Sequence, residues 1–345
     1  VGGVITSGIG WEWIFFVNVP IGMVAVFVTL TKVLESSDPG ATRVDWAGLL
    51  TFSGSLFMLV FALVRGNEAG WGSTQILALI AGAAVLFALF LIAEIRQERP
   101  MLDLSLFRRP AFAGANIVAF TMAASAFSMF LYLTIYVQEV LHYSPLQAGL
   151  RFLPITLLSF FVAPVAGRLS VRVPIRLLLG VGMLFVGSGL LTMTAASATS
   201  GWTALIPGFM LQGIGIGLVN PPLASAAIGV VPPARSGMAS GANNTARQVG
   251  IATGIAALGA VFQHDIARGT LAHHAYRVAF AGALTNILEI AAAIAFMGAI
   301  AGFALVRSKD FVASAVEETA RAYGPEQGER SGERAPLMAG AGENG

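Results

Sequence analysis

Arg247 is the side chain whose position most needs explaining in this sequence. It falls about ten residues into an apolar run over 237–262, where insertion scales put the cost of an Arg at about 3 kcal/mol. Such a side chain must face protein or water. At helical spacing Ser240, Asn244 and Arg247 share a stripe that continues through Gly250 or Ile251 to Gly254, giving one polar, closely packed face. Two readings stand for Arg247. It is a cavity-lining or gating residue near the cytoplasmic side, or a structural Arg reaching back to lipid phosphates or loop carbonyls.

Glu289 is the acid well inside the last apolar run. A carboxylate in a dry site has its pKa raised by desolvation and can take up and release a proton, which makes Glu289 the proton-coupling candidate. The alternative is a paired residue, with Arg151 as its partner. Glu139 and Arg151 flank an outer loop and are spaced for an ion pair of their own. The aromatics Phe120, Phe127, Phe130, Tyr132 and Tyr136 recur along one run. Facing a cavity, Phe127 and Tyr132 would suit lipophilic or cationic substrates by stacking and cation–π contact; facing outward, they would meet lipid.

Other chemistries find little support. The sequence offers no nucleophile with a base, no helical His-x-x-x-His pair and no phosphate-binding glycine loop beside a strand, so an enzyme is not expected. With no Cys there is neither a disulfide framework nor a thiolate metal site, and His273-His274 lacks a third ligand at a convincing spacing. No cofactor or metal is expected. The histidines, His142 and His264 among them, fall in outward loops, where a pH-sensing role is the functional reading and plain loop residues the ordinary one.

The elements that must position these residues are membrane helices. The chain is 56% hydrophobic and 11% charged over 345 residues, with a mean hydropathy of +0.77. A soluble domain carries roughly 25% charged residues. Nine runs reach the ~20 apolar residues that a span needs: 13–30, 45–64, 75–95, 113–137, 148–166, 175–194, 204–228, 237–262 and 283–306. They are continuous rather than alternating, so helices and not barrel strands are implied. Abundant Gly and Ala fit close helix packing. Pro154, Pro164, Pro207, Pro221 and Pro222 are expected to kink or break their spans. A net charge of +2 spread over short loops argues against nucleic acid as a partner.

Loop charge sets the orientation. Lys32, Arg43, Arg96, Arg99, Arg108, Arg109, Arg168, Arg172, Arg176 and Arg235 fall in one set of alternate loops, and Arg65, Arg268 and Arg277 in the other. The first set is expected in the cytoplasm of a multi-pass plasma-membrane protein, with Val1 outside and the tail after Arg307 inside. From Ser308 onward Glu, Arg, Gly and Pro predominate, and a disordered cytoplasmic tail is expected. Phe311 would then belong to a frayed continuation of the last helix or to a short amphipathic turn.

Four stretches resemble one family in order and spacing. Trp11-Glu12-Trp13-Ile14-Phe15-Phe16-Val17-Asn18-Val19-Pro20-Ile21-Gly22 is similar to a W-R-W-x-F-x-x-N-x-P-x-G signature. Val44-Asp45-Trp46-Ala47-Gly48 resembles the start of an extra helix pair. Gln138-Glu139 with Tyr143-Ser144-Pro145-Leu146-Gln147-Ala148-Gly149 resembles an outer loop, and Ala239-Ser240-Gly241 with Asn244, Arg247, Gly250 and Gly254 a penultimate helix. The family is the fourteen-helix drug:proton antiporter branch of the major facilitator superfamily. Glu12 stands where its signature has Arg, and Val171 replaces an acid in the loop-like Gly167-Arg168-Leu169-Ser170-Val171-Arg172.

The resemblance implies an all-helical partial major-facilitator fold. Residues 1–33 would be the end of a fifth helix, at Gly2-Gly3, and a sixth; 34–110 a two-helix insert and cytoplasmic loop; 111–307 a complete six-helix second half; 308–345 the tail. It also implies export of small lipophilic compounds in exchange for protons, by rocking against an N-terminal half of the same protein that precedes Val1. The usual proton-carrying acid would lie in that missing half. The rival expectation is a non-transporting membrane helper or anchor that binds a partner.

Overall fold

The computed structural model describes residues 2–32, 45–97, 102–196, 200–231, 235–271, 275–307 and 310–311. Every regular element among them is helical: α1 (Gly2–Gly8), α2 (Trp13–Phe16), α3 (Asn18–Lys32), α4 (Trp46–Ala69), α5 (Thr74–Arg96), α6 (Pro110–Met122), α7 (Ser128–Ile135), α8 (Pro145–Arg151), α9 (Leu153–Leu169), α10 (Ile175–Met193), α11 (Ile206–Gly229), α12 (Ser236–Leu271) and α13 (Tyr276–Leu305). Eight helices are long and apolar enough to cross a membrane, or nine when α8 and α9, bent by 41° at Phe152, count as one broken span.

The ends show why the chain starts and stops helices where it does. Asp45 caps α4 by accepting from the Gly48 amide at 2.8 Å, and its carboxylate also takes a hydrogen bond from Gln97 Nε2 at 2.8 Å. Ser144 and Gln147 form a reciprocal capping box on α8, with Pro145 in the first turn. These contacts give the Val44-to-Gly48 and Tyr143-to-Gly149 stretches a local structural purpose. In the first stretch Asn18 donates to the Ile14 carbonyl at 3.0 Å, Pro20 lies in the first turn of α3, Trp11 and Trp13 are exposed, and Gly22 meets nothing within 4 Å.

The prolines behave unequally. The α8–α9 bend falls just before Pro154, as expected, whereas α9 continues through Pro164 and α11 through Pro221 and Pro222. Pro207 sits in the first turn of α11, where its missing N–H costs nothing. An unforeseen irregularity lies between α6 and α7, where Ala123–Phe127 forms a π turn and a second follows at Tyr136–Val140. The widened turns leave carbonyls to be satisfied. Ser125 Oγ donates to Thr121 O at 2.6 Å and Ser128 Oγ to Ala123 O at 3.1 Å.

Close backbone approach joins α10 to α11. A Cβ on Gly208 would stand 2.6 Å from the Gly189 carbonyl, and one on Gly215 would stand 2.6 Å from the Gly182 carbonyl. On the other side of α10, Phe296 of α13 seats on Gly187 and Phe303 on Gly180. Small residues thus let bulky neighbours dock without a hydrophobic drive between helices. The α4–α5 hairpin closes through Ser55 Oγ to Ala83 O at 2.9 Å and the Phe52–Phe90 ring pair at 4.8 Å.

Two boundaries move. The last span begins at Tyr276 rather than near 283, and α12 runs on to Leu271, so His264 is in a helix and not in a loop. His273 and His274 lie outside the described residues, as does the tail from 312. At Asp310 and Phe311 the chain has left the helix, contrary to a frayed continuation of α13: Phe311 docks on Gly229 at the end of α11, and the Asp310 carboxylate accepts from the Ala111 amide at 3.2 Å.

These contacts belong to a clasp at the Arg-rich end of the bundle. Arg109 donates to the Val230 carbonyl at 2.6 Å, and Arg235 pairs with Asp103 at 2.8 Å. Beneath them Leu106, Phe112, Val230, Val231 and Ala239 make a small apolar cluster. Hydrogen bonds from Ser105, and then the Arg235 charge, hold the Asp103 carboxyl below its ordinary value of 3.8.

Candidate functional site

Helix α12 contributes the polar face, and the elements packed on it decide which residues of that face remain accessible. Arg247 is half-buried and donates from Nη2 to Asn220 Oδ1 of α11 at 3.2 Å. It stands eleven residues after Ser236, about 16 Å along the axis at ~1.5 Å per residue. Among the described residues it makes no ion pair, the Asp103–Arg235 pair being the salt bridge they contain. Its contact is a side chain of a neighbouring helix rather than a loop carbonyl.

The stripe expected through 240, 244, 247, 250 and 254 divides in two. Ser240 and Asn244 are exposed, whereas Gly250 and Gly254 are buried against the α6–α7 span, where a Cβ on either would collide with the carbonyls of Phe120 and Ala124. The reason is rotational. Advancing ~100° per residue, positions 250 and 254 turn toward the side of Asn243, and 240 and 244 away from it. Asn243, not singled out from the sequence, is 7% exposed and donates to Ala115 O at 3.3 Å. Its adjacency to Asn244 gave no signal as to which of the two faces inward.

Tyr132 and Phe127 do not form an aromatic wall. Tyr132 is 5% exposed, donates to the Ile255 carbonyl at 2.7 Å and lies 5.3 Å from the Phe262 ring. Ser128, one turn earlier, donates to the Ile251 carbonyl at 3.2 Å. Together these hydroxyls bind two successive turns of α12. Phe127 is half-buried, 6.3 Å from Phe130, which continues through Phe152 to Phe209.

The remaining candidates separate from this site. Glu289 is exposed on a stripe of α13 that also shows Val278, Ala293 and Ile300, away from the packed interior. Arg151 pairs with neither Glu289 nor Glu139 among the described residues. Its guanidinium lies 3.4 Å from the Tyr143 ring and 5.2 Å from that of Trp202, and Nη1 donates to the Gln147 carbonyl at 2.9 Å. Gln138 is half-buried in the π turn Tyr136–Val140, and Gly149 lies within α8 with nothing within 4 Å of a Cβ there. No group of three His, Asp or Glu side chains that could hold a metal ion occurs among the described residues.

A bundle of membrane-length helices, packed closely through glycine and alanine, defines an all-helical multi-pass membrane protein. The Major Facilitator Superfamily pattern matches residues 1–255, and the chain belongs to that family. Over 260 residues it is 36% identical to the multidrug resistance protein Stp of Mycobacterium tuberculosis, covering 75% of this chain and 48% of that protein. It is 32% identical to the methylenomycin A resistance protein of Streptomyces coelicolor, over 76% of this chain and 55% of that protein. Identity to the tetracenomycin C resistance and export protein of Streptomyces glaucescens is also 32%, over 75% and 48% respectively. The chain spans about half the length of these relatives.

Proposed function

We propose that residues 111–307 form the second half of a proton-coupled exporter of small lipophilic compounds, which works by alternating access against a first half carried by a longer protein. The observation that carries this reading is the Arg247–Asn220 contact, a charge and an amide on two helices of a bundle whose core is mostly apolar. Intramembrane cations of this kind mark substrate or ion pathways. The relatives' names, which speak of drug resistance and export, support the same reading.

In this reading 1–33 and the insert over 34–110 flank the second half. The Arg-rich end faces the cytoplasm of a plasma-membrane protein, and the tail after Arg307 lies on that side. In this reading the proton-carrying acid belongs to the first half, and Glu289 is a residue of the exposed stripe of α13. Cells expressing the longer reading frame around this chain should clear a lipophilic dye, and a protonophore should stop that clearance. Clearance that continues with the proton gradient collapsed removes the coupling, and no clearance by a well-inserted protein removes the exporter.

A further inference from the structure

We propose that Arg247, with Asn220, anchors a binding site for lipophilic anions, aromatic carboxylates in particular. The inference rests on the exporter reading of the same face and narrows its substrate class. An Arg held ~16 Å along a membrane helix needs an anion or water to complete its hydrogen bonding. Asn220 is neutral and accepts from one of the several guanidinium N–H groups. The fork that remains matches a carboxylate, which accepts two parallel hydrogen bonds.

Among the described residues no carboxylate is placed to fill that role. Helices α6, α7 and α11, which surround this part of α12, contain no Asp, Glu, Lys or Arg. On α4 the acid is Glu68, near the far end from the clasp, and on α13 it is Glu289, on the outward stripe. The acid of α12 itself, Asp265, lies eighteen residues beyond Arg247 and takes a hydrogen bond from Asn286 at 2.8 Å. Arg235 and Asp103 neutralise each other in the clasp. The electrostatic demand at Arg247 is therefore for a negative charge from outside this set. The exposed Ser240 and Asn244 leave its flank open on the side away from α6. An apolar body on the ligand follows from the helices around the polar flank, since α6, α7 and α11 are mostly apolar and a hydrophilic anion would pay to leave water beside them.

The test uses the full chain in phosphatidylcholine nanodiscs and two fluorescent probes of equal shape, 1-pyrenebutyrate and 1-pyrenebutylamine, with empty discs subtracted. The carboxylate should bind at least about tenfold more tightly than the ammonium, the scale of a charge-assisted forked contact. Arg247→Gln should erase that preference by weakening the carboxylate alone. Arg247→Lys should keep part of it, having the charge without the fork. Asn220→Ala keeps the charge and should weaken carboxylate binding only a few-fold, which guards against a misfolded Gln variant; gel filtration and far-UV circular dichroism check each protein.

Equal binding of the two probes, or carboxylate binding untouched in Arg247→Gln, overturns the proposal. So does wild-type binding that falls as phosphatidylglycerol is added to the discs while the Gln variant is insensitive, because that assigns Arg247 to lipid headgroups. Anion preference without efflux by the longer protein breaks the exporter reading alone. Efflux without anion preference breaks only this inference.

Discussion

Segments 13–32 and α13 have nearly equal mean hydropathy, yet α3 has no buried residue while α13 buries nearly half of its length. The difference begins with partners: α13 packs on α6, α10 and α12, whereas α3 packs on no other long helix among the described residues. Along α13 the buried residues are mostly Ala and Gly, such as Ala291, Ala295, Gly298 and Gly302, with Leu284, Ile287 and Leu288 filling between them. Along α3 the small residues Gly22 and Ala25 are exposed beside Val24, Val26, Phe27 and Val28, with no neighbouring helix seated on them. Hydropathy drives a helix into the bilayer, and small residues let it approach another helix once there. Only the second property organises a site.

The contrast breaks most visibly at a glycine. Gly215→Leu puts side-chain atoms where the Gly182 carbonyl and Val186 stand, and overpacking of this kind costs roughly 1–3 kcal/mol or more. We expect the purified variant to lose its monodisperse gel-filtration peak, or to unfold at a clearly lower temperature. Gly22→Leu, on α3 with nothing within 4 Å, should leave both unchanged. If the two variants behave alike, packing density is not what separates these helices.

Smaller effects are expected where α12 is held by hydroxyls. Ser128→Ala and Tyr132→Phe each remove a hydrogen bond to a carbonyl that already serves its own helix, so a loss near 0.6 kcal/mol apiece is expected, the membrane average. Denaturant titration in mixed micelles checks this. A loss of several kcal/mol from either would mean that the α7–α12 contact relies on those bonds rather than on Gly250 and Gly254.

The clasp should contribute least, and with a defined pH dependence. The Asp103 carboxyl is held below 3.8, first by Ser105 and then by Arg235, so its ionised form is stabilised in the fold. That stabilisation is present above the ordinary carboxylate value and is lost as pH falls through the depressed one. Wild type should therefore melt slightly above Asp103→Asn at neutral pH, and the gap should close in acid. Both partners of the salt bridge are partly exposed, which keeps the gap small. A gap that widens in acid reverses the assignment.

Much of the architecture could be read in the residues, and the failures have physical causes. The apolar runs located every span because burial in lipid imposes length and composition together. Pro154 announced the α8–α9 bend, while Pro221 and Pro222 left α11 unbroken because neighbouring helices can hold a proline-containing helix together. At the candidate site, Arg247 was legible from its cost alone. Which of Asn243 and Asn244 turned inward was not, since a helix wheel gives angles but no direction to the neighbours. The π turns at Ala123–Phe127 and Tyr136–Val140, which flank the buried Tyr132, have no simple sequence sign. The clasp is not legible in the sequence, because the partners of Arg109 and Arg235 lie more than a hundred residues away along the chain.

The most direct test of Arg247 as part of an export path is dye efflux by the longer protein carrying Arg247→Ala, with membrane insertion quantified in the same cells. Loss of efflux at wild-type abundance is the expected result, and normal efflux by an equally abundant variant would contradict the assignment.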